Sequence, residues 1–170
     1  MSNTFTFRKA GINDIPLIQA LAGKIWDEAY KEVLAKEQIG YMLEMMYSEK
    51  TIKEELSRNV VWEIISGNGR PFGFLSYSLE QGNAVKLSKI YIERDFRGGE
   101  AAKKAINHVI RYAQKNGRQE VYLTVNKNNR MAIRAYEKNG FSIVDSVVID
   151  IGGGFAMDDY VMKFFVKPKR

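Results

Sequence analysis

The segment Arg97-Gly98-Gly99-Glu100-Ala101-Ala102 carries the densest chemical signal in the chain. A strand-like run, Leu87-Ser88-Lys89-Ile90-Tyr91-Ile92, comes just before it, and a helix-like run, Lys103 to Asn116, follows. A glycine-containing turn between a strand and a helix aims several backbone N–H groups at one point, because the first N–H groups of a helix have no partner within it. With the positive end of the helix dipole they form a site for an anion such as a phosphate. Arg97 adds a fixed positive charge at the mouth of the turn. The spacing therefore predicts a phosphate cradle.

A second dense segment runs from Asn129 to Phe141. Ala132, Tyr136 and Gly140 are spaced by four and share one helix face. Ala132 is small enough for a ligand or a backbone to lie against it, and Tyr136 projects one turn further along. On spacing alone, Tyr136 reads as a half-buried core aromatic.

Composition bounds the chemistry. A chain of 170 residues fits one domain, 1–170, and can bury a real core. It has no Cys, so disulfides and thiolate catalysis are excluded, and its single His, His108, leaves no His-based metal site. No metal is expected. No apolar run approaches the ~18 residues that span a bilayer, and Met1 to Phe5 lacks the regions of a signal peptide. A soluble cytoplasmic protein with no membrane partner is the expectation. The net charge of +6 suits an anionic partner, but the only dense basic run is Lys167-Pro168-Lys169-Arg170. No basic stripe is interleaved with aromatics, so no nucleic-acid partner is expected.

The elements that must position these residues read as follows. Phe5 to Lys9 alternates as a first strand, and Asn13-Asp14 with Pro16 opens a helix from about Ile15 to about Tyr30. A second helical region spans about Glu37 to Leu56. Val60 to Ile65 and Pro71 to Leu79 are strands joined by Gly67-Asn68-Gly69, and Gln81-Gly82-Asn83 turns into the strand that ends near Ile92. The helix from Ala101 has one apolar stripe, and His108 lies off it, so His108 is expected to face solvent. Glu120 to Val125 is a strand, Asn129 caps a short helix, and Phe141 to Ile149 and Asp159 to Val166 close the sheet. Early hairpins and later helical crossovers predict an α/β or α+β sheet with helices on both faces.

Taken together, Arg-x-x-x-x-Ala and, about thirty residues on, Asn-x-x-Ala-x-x-x-Tyr-x-x-x-Gly-Phe resemble the GCN5-related N-acetyltransferase (GNAT) superfamily. The resemblance covers about Phe72 to Phe141 and implies the single-domain GNAT fold, a mixed, mostly antiparallel sheet of about seven strands. It implies acetyl-CoA as co-substrate and direct attack of an amine on the thioester. Carried over, Ile90 and Ile92 would offer main-chain groups to the pantetheine arm. Arg97, Gly98, Gly99, Ala101 and Ala102 would surround the pyrophosphate. Asn129 would reach the pantetheine or fix the helix start, and Tyr136 would protonate the leaving thiolate. The backbone N–H of Ile92 would serve the oxyanion. The family often has Glu at the position of Lys86, which cannot act as a base; Glu93 and Asp27 are the available carboxylates.

One position departs from the family pattern: Glu100 stands where a central Gly is usual. A carboxylate beside a pyrophosphate is repulsive unless its side chain turns away. Trp26, Tyr30, the run Lys36 to Leu43, Met46-Tyr47-Ser48 and Asp158 to Met162 resemble the bacterial polyamine N-acetyltransferase branch. They would wall an acceptor pocket, with Trp26 and Tyr30 touching the substrate. The implied acceptor is a small primary amine such as a polyamine. The alternatives are a protein N-terminus or lysine as acceptor, and a non-catalytic CoA-binding or interaction domain. Superfamily members are often dimers, so a homodimer is also implied.

Overall fold

The computed structural model describes residues 4–97 and 99–168. The chain begins with β1 (Phe5–Lys9), a single 3₁₀ turn, α1 (Ile15–Tyr30), α2 (Lys36–Tyr47) and α3 (Glu49–Ser57). It continues through β2 (Val61–Gly67), β3 (Arg70–Leu79) and β4 (Ala84–Ile92) to a second 3₁₀ turn and α4 (Glu100–Lys115). β5 (Glu120–Asn126), α5 (Arg130–Lys138), β6 (Ser142–Gly152) and β7 (Phe155–Phe165) complete it. The seven strands form one sheet in the order β1-β2-β3-β4-β5-β7-β6. Among the described residues, only the β4/β5 pairing is parallel. Among the described residues no helix is long and apolar enough to cross a membrane.

Each face of the sheet carries its own core. Ala105, Ile106, Val109, Ile110 and Ala113 of α4 pack with Phe72, Leu75, Val85, Val121 and Leu123 on one face, joined by Ile133 of α5. Ile18, Ile25 and Trp26 of α1 pack with Met42, Tyr47, Ile52, Trp62, Ile64 and Phe74 on the other. This is the expected α/β fold with helices on both faces, and the sequence reason is simple. Each strand alternates its side chains between the faces, and each helix contributes one apolar stripe.

The β2–β3 turn follows the sequence closely, with Asn68 and Gly69 both at positive φ (52 and 78°). Three expectations need correction. The helical region expected over Glu37 to Leu56 is two helices, because Ser48 leaves α2 in extended backbone and caps α3, accepting the Thr51 N–H at 3.2 Å. The closing strands extend further than expected, to Gly152 and back to Phe155. Three glycines at positive φ, Gly152 to Gly154, turn the chain there, and the tip rests on α2. Tyr41 donates to the Ile151 carbonyl at 2.7 Å, and Gln38 donates to the Ala156 carbonyl at 3.1 Å.

The third correction is His108, which faces solvent only in part, its side chain 34 % exposed. Its ring stacks on Phe7 at 4.5 Å, and its Nε2 lies 2.8 Å from the Glu63 carboxylate. Burial raises the Glu63 carboxyl, but His108 and Tyr77 outweigh that and hold it below the ordinary carboxylate value.

Candidate active site

The site begins as a fault in the sheet. β4 pairs with β3 along its length, but with β5 only from Ala84 to Lys86. Leu87 opposes Tyr77 and Lys89 opposes Ser76, so Ser88 is an extra residue, a bulge that bends β4. Beyond the bulge β4 and β5 diverge. The Glu93 N–H bonds the Phe72 carbonyl on the β3 side. Groups alternate sides along an antiparallel strand, so the backbone groups of Ile92 and Ile90 face the opening beside β5. The Ile92 carbonyl accepts from Arg97 Nε at 2.9 Å, which fixes that last peptide.

The opening leads into a cleft of about 1030 Å³. Ile90, Ile92, Arg97, Gly99, Ala102, Asn129 and Tyr136 all line it. Gly99 is the N-cap of α4, in extended backbone, and the free N–H groups of the first turn follow it. The side chain of Ala101 is 1 % exposed and packs in the core, so only its backbone could serve a ligand. Gly98 lies outside the described residues. Glu100 is exposed on the first turn of α4, so its carboxylate reaches solvent. Arg97 also contacts Glu28 of α1, with Nη2 to Oε2 at 3.3 Å. A carboxylate therefore occupies the arginine fork that an anionic ligand would compete for. Arg94, Lys103, Arg134 and Lys138 add positive charge along the same cleft.

Asn129 serves the helix start: its side-chain oxygen accepts the Ala132 N–H at 3.2 Å. Its Nδ2 lies 3.4 Å from the Tyr30 hydroxyl, which is 3.4 Å from the Tyr91 hydroxyl. Tyr136 packs edge-on against Phe141, and burial, with Tyr30 nearby, pushes its hydroxyl well above the ordinary value. The group is a neutral O–H donor at any physiological pH. Trp26 is 1 % exposed, with its indole N–H given to the Tyr47 hydroxyl at 3.1 Å. It packs at a tilt against Tyr30 and Tyr91, with ring centroids 4.6 and 5.5 Å away.

The two carboxylates weighed as bases stand differently. Glu93 is 6 % exposed and held by Arg70 at 3.0 Å and Lys24 at 3.5 Å, so it is neutralised away from the opening. Asp27 lines the cleft but is exposed. A third carboxylate, Asp159 of β7, also lines the cleft and is 2 % exposed. Its Oδ1 has no hydrogen-bond partner among the described residues. Burial and the neighbouring Asp158 push its carboxyl up to about 6, against Thr124 and Lys127. The sequence pointed to the Asp158-to-Met162 run as pocket wall. It carried no sign of which of the adjacent acids would be buried, because that depends on the β5/β7 register.

The comparisons with known proteins agree with this geometry. The model of the Acetyltransferase (GNAT) family matches residues 24–141. An uncharacterised N-acetyltransferase of Mycobacterium tuberculosis is 28% identical over 153 residues, 89% of this chain and 97% of that protein. An uncharacterised N-acetyltransferase of Methanocaldococcus jannaschii is 35% identical over 80 residues, 44% of this chain but only 35% of that protein. The PaiA N-acetyltransferase of Thermoplasma acidophilum, in complex with coenzyme A, superposes with a TM-score of 0.81 at 20% identity, covering 95% of this chain and 99% of that one. A divergent strand pair, a helix start with free N–H groups beside it and a family match over most of the chain lead to one conclusion: this protein belongs to the GNAT family of acetyltransferases.

Proposed function

We propose that the protein moves the acetyl group of acetyl-CoA to a small primary amine, with a polyamine as the acceptor class. The observation that carries this reading is the cleft itself. It passes from a basic side, at the start of α4, through the β4/β5 opening to an acidic, aromatic end. Asp27, Glu32 and Asp159 line that end with Tyr30, Met42 and Met46. Acids attract an ammonium group, and apolar walls suit the methylenes between amines. The hairpin tip rests on α2, whose Gln38, Met42 and Met46 line the cleft. A spermidine N(1)-acetyltransferase of Thermoplasma acidophilum, 22% identical over 82% of this chain, lends support.

In this reading the pantetheine arm runs along the free edge of β4 at Ile90 and Ile92. The pyrophosphate meets Arg97 and the backbone from Gly98 to Ala102. Bound acetyl-CoA supplies the activated acyl group. The Ile92 N–H steadies the oxyanion, and Tyr136 gives its proton to the departing sulfur. Tyr30 and Trp26 form the acceptor wall, Tyr30 at its surface and Trp26 behind it. Release of free CoA thiol in the presence of a panel of mono-, di- and polyamines tests the reading. Turnover is expected with amines, and fastest with those carrying a second positive charge. Turnover with an N-terminal peptide and with no small amine would replace this acceptor class by a protein.

A homodimer is the proposed assembly. Its support is the edge strand β6, which leaves Ile143, Val144, Val148 and Ile149 exposed. Sedimentation velocity showing only monomer at high concentration would exclude it.

A further inference from the structure

The amine must lose a proton before it can attack; of the carboxylates named from the sequence, Glu93 is held by Arg70 and Lys24 and Asp27 is exposed to solvent. The strand geometry offers another. In β7, Tyr160, Met162 and Phe164 face the α4 core, so Met157 and Asp159 face α1. In β5, Val121, Leu123 and Val125 also face α4, which puts Thr124 and Asn126 on the α1 side with Asp159. Tyr136 instead packs with the α4-side core. A proton donor and a carboxylate therefore approach one cleft from opposite faces of the sheet, beside the opening between β4 and β5.

We propose that Asp159 is the group that binds the acceptor ammonium and takes its proton. The inference rests on the amine-acetyltransferase reading above. Three observations support it. Asp159 is 2 % exposed, one of its oxygens has no partner among the described residues, and it lines the acceptor end of the cleft. A buried carboxylate with an unpartnered oxygen is costly; an incoming ammonium would satisfy it. The step balances as follows. The ammonium N–H passes its proton to Asp159 Oδ1, and the freed lone pair forms the C–N bond at the acetyl carbon. The C–S bond breaks, the sulfur takes the Tyr136 proton, and the proton on Asp159 leaves to water while Tyr136 is reprotonated.

The charged and polar groups facing Asp159 are few. Asp158 on its own strand raises its carboxyl, and Lys127, from the segment after β5, opposes this. Thr124 of β5 also lowers the carboxyl, and the Tyr30 hydroxyl of α1 feels its charge. Lys127 itself is held by Asp158 at 2.7 Å and does not neutralise Asp159 directly.

The test compares wild type with Asp159→Asn, using an ordinary primary amine and a fluorinated primary amine that is already neutral at pH 7. Acetyl-CoA binding by calorimetry serves as the control for folding. The wild type should lose kcat/KM with the ordinary amine below about pH 6. Asp159→Asn should bind acetyl-CoA normally and lose about 10²–10⁴-fold in rate with the ordinary amine. The neutral amine should restore most of that loss. Equal rates and equal pH profiles in the two proteins would overturn the role of Asp159 and leave the acetyltransferase reading intact. Absence of transfer to any amine by wild type would overturn both. If the variant does not fold, the wild-type profile decides alone: a rate with the ordinary amine that stays flat from pH 7 to pH 5 rules Asp159 out.

Discussion

At the scale of single residues, the proposed mechanism depends on a hydroxyl that stays protonated. Burial pushes Tyr136 up, and an ordinary Tyr at about 10 is already protonated at neutral pH. In the proposed reaction the leaving thiolate, an ordinary thiol of about 8.5, is where that proton is needed. Tyr136→Phe removes the donor and keeps the ring that packs on Phe141. Turnover should fall by about 10²–10⁴, with the acetyl-CoA dissociation constant nearly unchanged in calorimetry. Full activity in Tyr136→Phe would make the residue a packing aromatic, the reading its spacing first suggested.

At the scale of elements, the cradle at the start of α4 and the bulge in β4 must act together. The bulge at Ser88 frees the edge of β4, and the N-terminus of α4 presents N–H groups beside it. Glu100 lies in that first turn but is exposed, where solvent and salt screen its charge. Glu100→Gly should therefore tighten acetyl-CoA binding only modestly, and the gain should shrink as salt is raised. Weaker binding in the variant would show that the acid is doing no harm to the cradle. The strand–turn–helix order, the cap at Asn129 and α1 from Ile15 to Tyr30 were legible in the sequence, because each has a local signal in caps, glycines or periodicity. The break at Ser48 was missed because a Met- and Tyr-rich run keeps helical periodicity across it, although Ser48 with Thr51 is a cap signal in hindsight. His108 was misplaced for a different reason. Its own helix shows only that it lies off the stripe, while Phe7 of β1 and Glu63 of β2 come from far along the chain to cover it in part. Asp159 belongs to the same class, since only the pairing of β7 with β5 decides which acid is buried.

At the scale of the molecule, two carboxylates link stability to pH with opposite signs. The Glu63 carboxyl is held below its ordinary value, so its contribution is present above about 4.5 and is lost as pH falls through the lowered value. The Asp159 carboxyl is raised to about 6, so folding favours its protonated form. That contribution is full below the unfolded value of about 3.9 and is lost as pH rises through 6. Melting temperature should therefore rise as pH falls from 7 towards 5, then drop at lower pH. Asp159→Asn should flatten the upper part alone. A wild-type melting temperature that falls steadily from pH 7 downward would contradict the raised Asp159 carboxyl.

The account as a whole requires that acetyl-CoA occupy the opening between β4 and β5 and the start of α4. Calorimetric titration with acetyl-CoA tests this most directly, with a thermal melt on the same samples. The expected result is saturable binding of one molecule per chain. At about 100 times the dissociation constant the ligand should add about 2.7 kcal/mol, raising the melting temperature by roughly 5–10 °C for a chain of this size. No heat of binding and no shift in melting temperature at millimolar acetyl-CoA would contradict it.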